Sequence, residues 1–330
     1  MDFFKHICKK ENLGGLFSWR KTCASYIRKK KPITLYEPPQ YLFQGGGKRL
    51  RAVMLVLCST LNGRNYRHAL HAAAAVEILH NFSLIHDDIM DNDDMRRGRE
   101  TIHKKWNPNI AILSGDFLAA AAYKALSQCP KDVLPYVSNI FADGFIELCE
   151  GQALDKEFET QTTVSEKDYM NMIRQKTAVL FGAATRIGGI IGGVSPKQEK
   201  ALRDFGLHFG LAFQIQDDLL DIISDENTFG KNIGSDLIEK KKTYLSILAS
   251  RSEQGRGLLD TFSPEHPETR HRQLLTEFID FLDSSGIRKQ TQRRIDSHFK
   301  SALKNLNGFK NTPAKNRLLE ITHQAWHRSY

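Results

Sequence analysis

No stretch of this 330-residue chain alternates apolar and polar residues long enough to make a half-buried strand, and no strand–helix–strand rhythm recurs. Sandwiches, barrels and doubly wound sheets are thereby excluded. No apolar window reaches the length of a membrane span. The lysines at 5, 9 and 10 are not followed by the uninterrupted apolar region of a signal peptide, so a soluble, cytoplasmic protein is expected. The five cysteines, Cys8, Cys23, Cys58, Cys129 and Cys149, are odd in number and lack CxxC spacing, which reads as reduced packing thiols. The net charge of +9 suggests anionic partners. Its short basic runs, at 29–31 and 240–242, have no aromatic residues interleaved as stacking platforms, so small phosphorylated ligands fit better than nucleic acid.

What is present is helical. At 41% hydrophobic residues the chain can bury a substantial core, and its periodicity predicts an all-α fold: one domain over 1–330 with mostly short loops. Residues 1–40 are expected to hold one short helix and a proline-rich turn into the body, 69–91 a continuous helix, 95–109 a loop, and 251–330 polar, amphipathic terminal helices with nothing catalytic. A glycine-rich helix over 182–193 implies tight packing against its neighbours.

Two acidic clusters carry the chemistry. Asp87-Asp88-Ile89-Met90-Asp91, followed by Asp93 and Asp94, places five carboxylates in eight positions at the end of a largely apolar helix. Asp87 and Asp91 are one turn apart on one face, with His80 and Ser83 on the same side. Like charges so close call for a cation. All-oxygen ligands, with no cysteine or neighbouring histidine in register, point to a hard divalent ion, Mg²⁺. The same DDxxD spacing recurs at Asp217, Asp218 and Asp221, with Gln214 a turn earlier. One such motif alone is better explained by a solvated helix end; two at the ends of apolar helices favour a shared diphosphate and its Mg²⁺. Upstream, Gly45-Gly46-Gly47-Lys48-Arg49-Leu50-Arg51 precedes a helix start. Glycines there let backbone approach a ligand, and Lys48 and Arg51 stand beside the positive helix end, a natural place for a second diphosphate. The GxxxxGK[ST] spacing of a P-loop is missing.

These residues, together with Arg96-Arg97-Gly98, Gly151-Gln152 and Asp155, Lys176-Thr177, Phe213-Gln214, and Lys231 with Gly234, Asp236 and Lys241, occur in an order that resembles the trans-isoprenyl diphosphate synthases over nearly the whole chain. The resemblance implies a helical bundle of the isoprenoid synthase type with a central active-site cavity, usually a homodimer, that condenses isopentenyl diphosphate with an allylic diphosphate. By the same resemblance Asp87, Asp91 and Asp217 would ligate Mg²⁺, with Asp88, Asp218 and Asp221 in support. Arg96, Lys176, Lys231 and Lys241 would hold the allylic diphosphate, Thr177 and Gln214 would lie beside the developing carbocation, and Lys48, Arg51, His80 and Arg97 would bind isopentenyl diphosphate. Two positions depart from the family pattern: Ala52 stands where proline is frequent, and Lys240 where glycine is frequent. Asp93 and Asp94 have no role in it.

In relatives, bulk four and five residues before the first aspartate sets the floor of the tail pocket. Here these are Ser83 and Phe82, and five residues of helix reach about 7.5 Å below the metal. The aromatic resembles makers of twenty-carbon geranylgeranyl diphosphate, although Phe82 lies about 140° around the helix from Asp87. Ordinary core for Phe82, and a farnesyl or longer product, remain open. A class I terpene cyclase would not carry the second DDxxD. A non-catalytic subunit of a heteromeric synthase should have lost acids or phosphate-binding cations, and none is lost here.

Overall fold

The structure, a computed structural model, describes residues 18–28, 30–223 and 234–328. Among these, the only strands are β1 (Met95–Arg96) and β2 (Arg99–Glu100), and the remainder is helices and their connections. In chain order the helices are α1 (Ser18–Tyr26), α2 (Ile33–Gln44), α3 (Leu50–Ser59), α4 (Leu70–Met90), α5 (Ile102–Lys105), α6 (Pro108–Leu126), α7 (Leu134–Thr160), α8 (Glu166–Ile173), α9 (Val179–Ile191) and α10 (Pro196–Ile223). They continue with α11 (Ser235–Ile238), α12 (Tyr244–Ala249), α13 (Glu253–Asp260), α14 (Glu268–Ser284), α15 (Ile287–Asn305) and α16 (Pro313–Trp326). No helix among the described residues is long and apolar enough to cross a membrane.

The chain divides into two compact units, Met1–Phe145 with Leu180–Gly206 and Asn305–Leu319, and Ile146–Val179 with Leu207–Lys304 and Glu320–Tyr330. In the first, α4 is the central element. The alanines at 72–75, Val76, Ile78 and Leu79 are all fully buried, the pattern of a helix enclosed on every side. It packs most extensively on α6 and also on α1 and α3. The small residues of α9 do what their composition implies: a Cβ on Gly188 would stand 2.2 Å from the carbonyl oxygen of Leu55, so only glycine lets α9 lie against α3. In the second unit α8, α12, α13 and α14 pack in succession, and Phe209, Phe299 and Trp326 form an aromatic seam, with ring centroids 5.8 Å apart at each step.

Three local expectations need correction. Pro38 and Pro39 do not sit in a turn; they are buried inside α2, where each removes a backbone donor, and the packing of α2 on α6 carries the helix instead of propensity. The segment 95–109 is not a plain loop, because β1 and β2 pair in register Arg96↔Arg99 around Arg97 and Gly98, both with positive φ (54° and 73°), before α5 begins. Two left-handed central residues make a tight hairpin whose twist suits its strands. The chain after Arg251 also holds a further helix, α13, before the proline loop.

Candidate active site

Asn92 shapes the end of α4 that carries the first acidic motif. Its φ of 52° makes it the left-handed residue after the helix; its N–H donates to the carbonyl of Ile89 (3.3 Å), and the N–H of Asp93 donates to that of Asp88 (3.0 Å). This paired closure satisfies the last carbonyls of the helix and reverses the chain. Asp93 thereby comes beside Arg96, whose Nη2 donates to it at 3.2 Å, while Arg96 Nε donates to Asp88. Asp94 pairs with Lys104 at 2.8 Å, and Thr101 ties the hairpin down through the carbonyls of Asp93 (2.7 Å) and Asp94 (3.0 Å). The two acids outside the DDxxD pattern thus fasten the hairpin to the motif.

The three aspartates of the motif differ in environment. Asp88 is 2% exposed, and burial raises its carboxyl to about 6 against the pull of Arg96. Asp87 and Asp91 are half-buried. On the same helix His80 meets Arg51, Nη1 to Nε2 at 3.2 Å. Desolvation, then Arg51, Arg97, Arg49 and Arg96, hold its pKa well below the usual histidine range, so the ring is neutral. An arginine can only donate, so Nε2 accepts and the ring proton sits on Nδ1. Arg51 also stacks on Phe181, 4.1 Å from the ring centroid, and Arg97 Nη1 donates to the carbonyl of Gly46 at 2.7 Å. Lys48 is half-buried one residue before Arg49, the left-handed residue that starts α3. Ser83 is buried and bonds the carbonyl of His80 (2.9 Å); Phe82, also buried, lies 4.5 Å from His86 and 5.1 Å, edge-on, from Phe145.

In the second unit the other acidic motif closes α10, and the same division appears. Asp217 is half-buried and ion-paired with Arg328, near the end of the chain. Asp218 and Asp221 are buried and fully engaged. Asp218 accepts from Tyr169 Oη (2.5 Å) and Gln214 Nε2 (2.9 Å); Asp221 accepts from Ser235 Oγ (3.0 Å) and the N–H of Asp236 (3.2 Å), tying α11 to the motif. Burial first, and then the charge of Asp236, raises both carboxyls to about 7 in the absence of a cation.

Lys176 and Thr177 sit in a wider, π-type turn, Arg174–Ala178, which periodicity alone does not reveal. A Cβ on Gly151 would meet the backbone nitrogen of Lys176 at 2.2 Å, so glycine in α7 is what admits this turn. There Lys176 Nζ reaches Asp155 at 2.5 Å, and Thr177 Oγ1 donates to Gln214 Oε1 at 2.8 Å, linking Thr177, Gln214 and Asp218 in one chain of hydrogen bonds. Lys241 pairs with Glu239 (2.8 Å) and stands 3.8 Å from Asp236. Lys231 lies outside the described residues. Tyr169, Arg49 and Arg328, which hold Asp218, the glycine turn and Asp217 respectively, were given no role by motif reading; Arg49 lies inside a recognised motif, whereas Tyr169 and Arg328 carry no local signal.

Among the described residues no three His, Cys, Asp or Glu side chains gather into a ready-made metal cage. The carboxylates nonetheless suit Mg²⁺, which takes one or two carboxylates and completes its shell with water and substrate phosphates. Asp87, Asp91 and Asp217 are half-buried hard-oxygen donors, Asp217 with Arg328 as its ion-pair partner, whereas Asp88, Asp218 and Asp221 are buried and hydrogen-bonded to protein donors.

Residues 32–278 match the polyprenyl synthetase family. A geranylgeranyl pyrophosphate synthase of Geoglobus acetivorans is 39% identical over 298 residues, 89% of this chain and 91% of that protein. A geranylgeranyl diphosphate synthase of Saccharolobus solfataricus is 46% identical over 232 residues, 68% of this chain and 70% of its own length. The crystal structure of geranylgeranyl pyrophosphate synthetase from Pyrococcus horikoshii Ot3 shares the helical fold with a TM-score of 0.88 at 34% identity, covering 97% of this chain and all of that one. The agreement extends over most of the sequence and includes the segments that carry both acidic motifs, and on that ground the chain belongs to the polyprenyl synthetase family.

Proposed function

We propose that the protein is a Mg²⁺-dependent prenyl-chain elongase that condenses isopentenyl diphosphate with an allylic diphosphate, with geranylgeranyl diphosphate as the main product. The observation that carries this reading is the parallel division of labour in the two DDxxD motifs. Each has half-buried carboxylates, Asp87 and Asp91 in one and Asp217, paired with Arg328, in the other, and each buries its remaining acids, Asp88 in one and Asp218 and Asp221 in the other, on protein donors. A solvated helix end would not bury and bracket half of its acids.

Mg²⁺ on the allylic diphosphate would supply charge neutralisation for cleavage of the carbon–oxygen bond. Asp87, Asp91 and Asp217 are its proposed ligands, with Asp88, Asp218 and Asp221 setting their orientation. Arg96, Lys176, Lys231 and Lys241 add positive charge toward the departing diphosphate. The Thr177–Gln214 pair presents oxygen dipoles to the allylic cation. Lys48, Arg51, His80 and Arg97 receive isopentenyl diphosphate; neutral His80 contributes a donor without adding a competing charge. The new carbon–carbon bond forms as the alkene attacks, and the proton lost afterwards passes to the released diphosphate. Phe82 and Ser83 close the tail site.

The twenty-carbon product rests on relatives named as geranylgeranyl diphosphate synthases together with the aromatic at position 82. Relatives also include a geranylfarnesyl diphosphate synthase from Natronomonas pharaonis, so a shift of one unit is a small step within the family. A homodimer is the proposed assembly: α6 leaves Ile112, Leu113 and Tyr123 exposed, an apolar face suited to a second copy. Incubation with Mg²⁺, isopentenyl diphosphate and dimethylallyl, geranyl or farnesyl diphosphate, followed by chromatography of the products, tests the reading. Twenty-carbon product is expected, and no condensation with any primer refutes it.

A further inference from the structure

Arg49 lies in the basic segment between Lys48 and Arg51 but does not share their setting. Its side chain is 8% exposed, and Nη1 donates to Glu77 Oε1 (2.7 Å) and Asn81 Oδ1 (3.1 Å) on α4. Nη2 turns back to the carbonyls of Gly45 (3.2 Å) and Phe43 (3.4 Å). Glu77 is 1% exposed and also accepts from Asn81 Nδ2 (3.1 Å) on the same Oε1, so a buried carboxylate, a buried amide and one guanidinium form a buried polar group under the glycine turn, with Glu77 Oε2 left without a hydrogen bond. Arg97 holds the next carbonyl, that of Gly46, and fills the space beside Gly47, where a Cβ would stand 2.6 Å from the guanidinium.

Three consecutive glycines are otherwise among the most costly backbone to order. Here their carbonyls at 45 and 46 are anchored by two arginines, and Arg49 itself, with φ 49°, sets the direction in which α3 departs. Glu77 and Asn81 flank His80 on α4, and His80 is the contact of Arg51. One patch of α4 therefore registers both the turn that precedes Lys48 and the helix start that carries Arg51.

We propose that Arg49 is a positioning residue for isopentenyl diphosphate: by clamping the Gly45–Gly47 turn to the buried Glu77–Asn81 pair it fixes where Lys48 and Arg51 meet the diphosphate. The proposal rests on the assignment of those two cations to isopentenyl diphosphate. Arg49→Met leaves Glu77 buried and uncompensated and is expected to unfold more easily, so two further variants are needed. Arg49→Met/Glu77→Leu replaces the buried pair with apolar groups, an exchange that is often neutral or stabilising. Arg49→Lys keeps the charge opposite Glu77 but cannot span carboxylate and carbonyls together.

Thermal unfolding, calorimetric titration with isopentenyl diphosphate alone, and steady-state kinetics for both substrates give the readouts. The double variant should recover the melting temperature of the wild type, yet its Kd and KM for isopentenyl diphosphate should rise about 10- to 100-fold, the scale of a misplacement near 1 Å. KM for the allylic diphosphate should stay within about twofold. Arg49→Lys should fold and show the same selective loss. If either folded variant binds isopentenyl diphosphate as the wild type does, or loses both substrates equally, the positioning role is overturned. A wild type that neither binds nor condenses isopentenyl diphosphate overturns the functional reading beneath it, a distinguishable failure.

Discussion

Replacing Phe82 with alanine separates its two candidate roles, core packing and measuring the product. The ring is 8% exposed and touches His86 and Phe145 at centroid distances of 4.5 and 5.1 Å. Removing a buried phenylalanine costs about 3–5 kcal/mol when the surroundings cannot collapse. The two ring contacts, worth about 0.5–1.5 kcal/mol each beyond area, place the loss toward the upper end. At roughly 2–4 °C per kcal/mol the unliganded variant should melt on the order of 10 °C lower. If the ring closes the tail site, its removal also opens room for one more five-carbon unit. At about 0.8 kcal/mol per buried carbon, that unit returns about 4 kcal/mol to the complex, close to the loss. The expected result is therefore coupled: twenty-five-carbon or longer product should appear, and a long prenyl diphosphate should restore much of the lost melting temperature. Product chromatography from labelled isopentenyl diphosphate and thermal unfolding with and without geranylgeranyl diphosphate and its longer homologue give the readings. A lower melting temperature with an unchanged product distribution would assign Phe82 to the core and remove it from the tail site.

Gly151→Ala forces a Cβ to 2.2 Å from the backbone nitrogen of Lys176, so the π-type turn must shift; a loss of about 1–3 kcal/mol in denaturant unfolding, with a larger fall in kcat than in affinity for isopentenyl diphosphate, is expected. Wild-type kcat would show that the turn tolerates displacement. Arg328→Gln removes the cation that pairs with Asp217. The cation competes with a metal ion for the same carboxylate, so half-saturation by Mg²⁺ should fall by at least about twofold, an exposed pair being worth about 0.2–1 kcal/mol and this arginine being largely buried. A rise would mean that Arg328 serves the loaded site instead of competing with it. His298, beside Arg294 and 3.1 Å from His208, is lowered from 6.5 to about 4, chiefly by burial. The unfolded chain then takes up the proton first, so stability is level above pH 7 and falls as pH drops below 6.5, by about 1 kcal/mol at pH 5.5. His298→Gln should remove that increment of the pH dependence in urea unfolding, and an unchanged slope refutes the assignment.

How far the sequence foretold these features depended on how local their causes are. A helix was expected over 69–91, and α4 runs Leu70–Met90, because alanine-rich burial and a left-handed Asn92 both act within the segment itself. The helices over 33–44 and the turn over 174–178 obey distant neighbours: α6 supports the first despite Pro38 and Pro39, and Gly151 makes room for the second. The hairpin at Arg97-Gly98 lacks the Asn-Gly that marks such turns, and its cause is the anchoring of Asp93, Asp94 and Thr101 around it. The same distinction sorts the charged residues. Lys48, Arg49 and Arg51 look alike in sequence, yet Glu77, twenty-eight positions away, turns Arg49 inward and leaves its neighbours to another task. Asp217 and Asp221 belong to one motif, and the donors of Ser235 and Asp236 make Asp221 a fastening. A motif therefore states which chemistry is available at a position, and the buried partner of each charge states which members are already spent on the fold. The half-buried members of the motifs, Asp87 and Asp91 in one and Asp217 in the other, carry the same hard-oxygen chemistry, and because burial sorts the acids of each motif separately, that shared chemistry is the ground on which a cation-binding role is proposed for each.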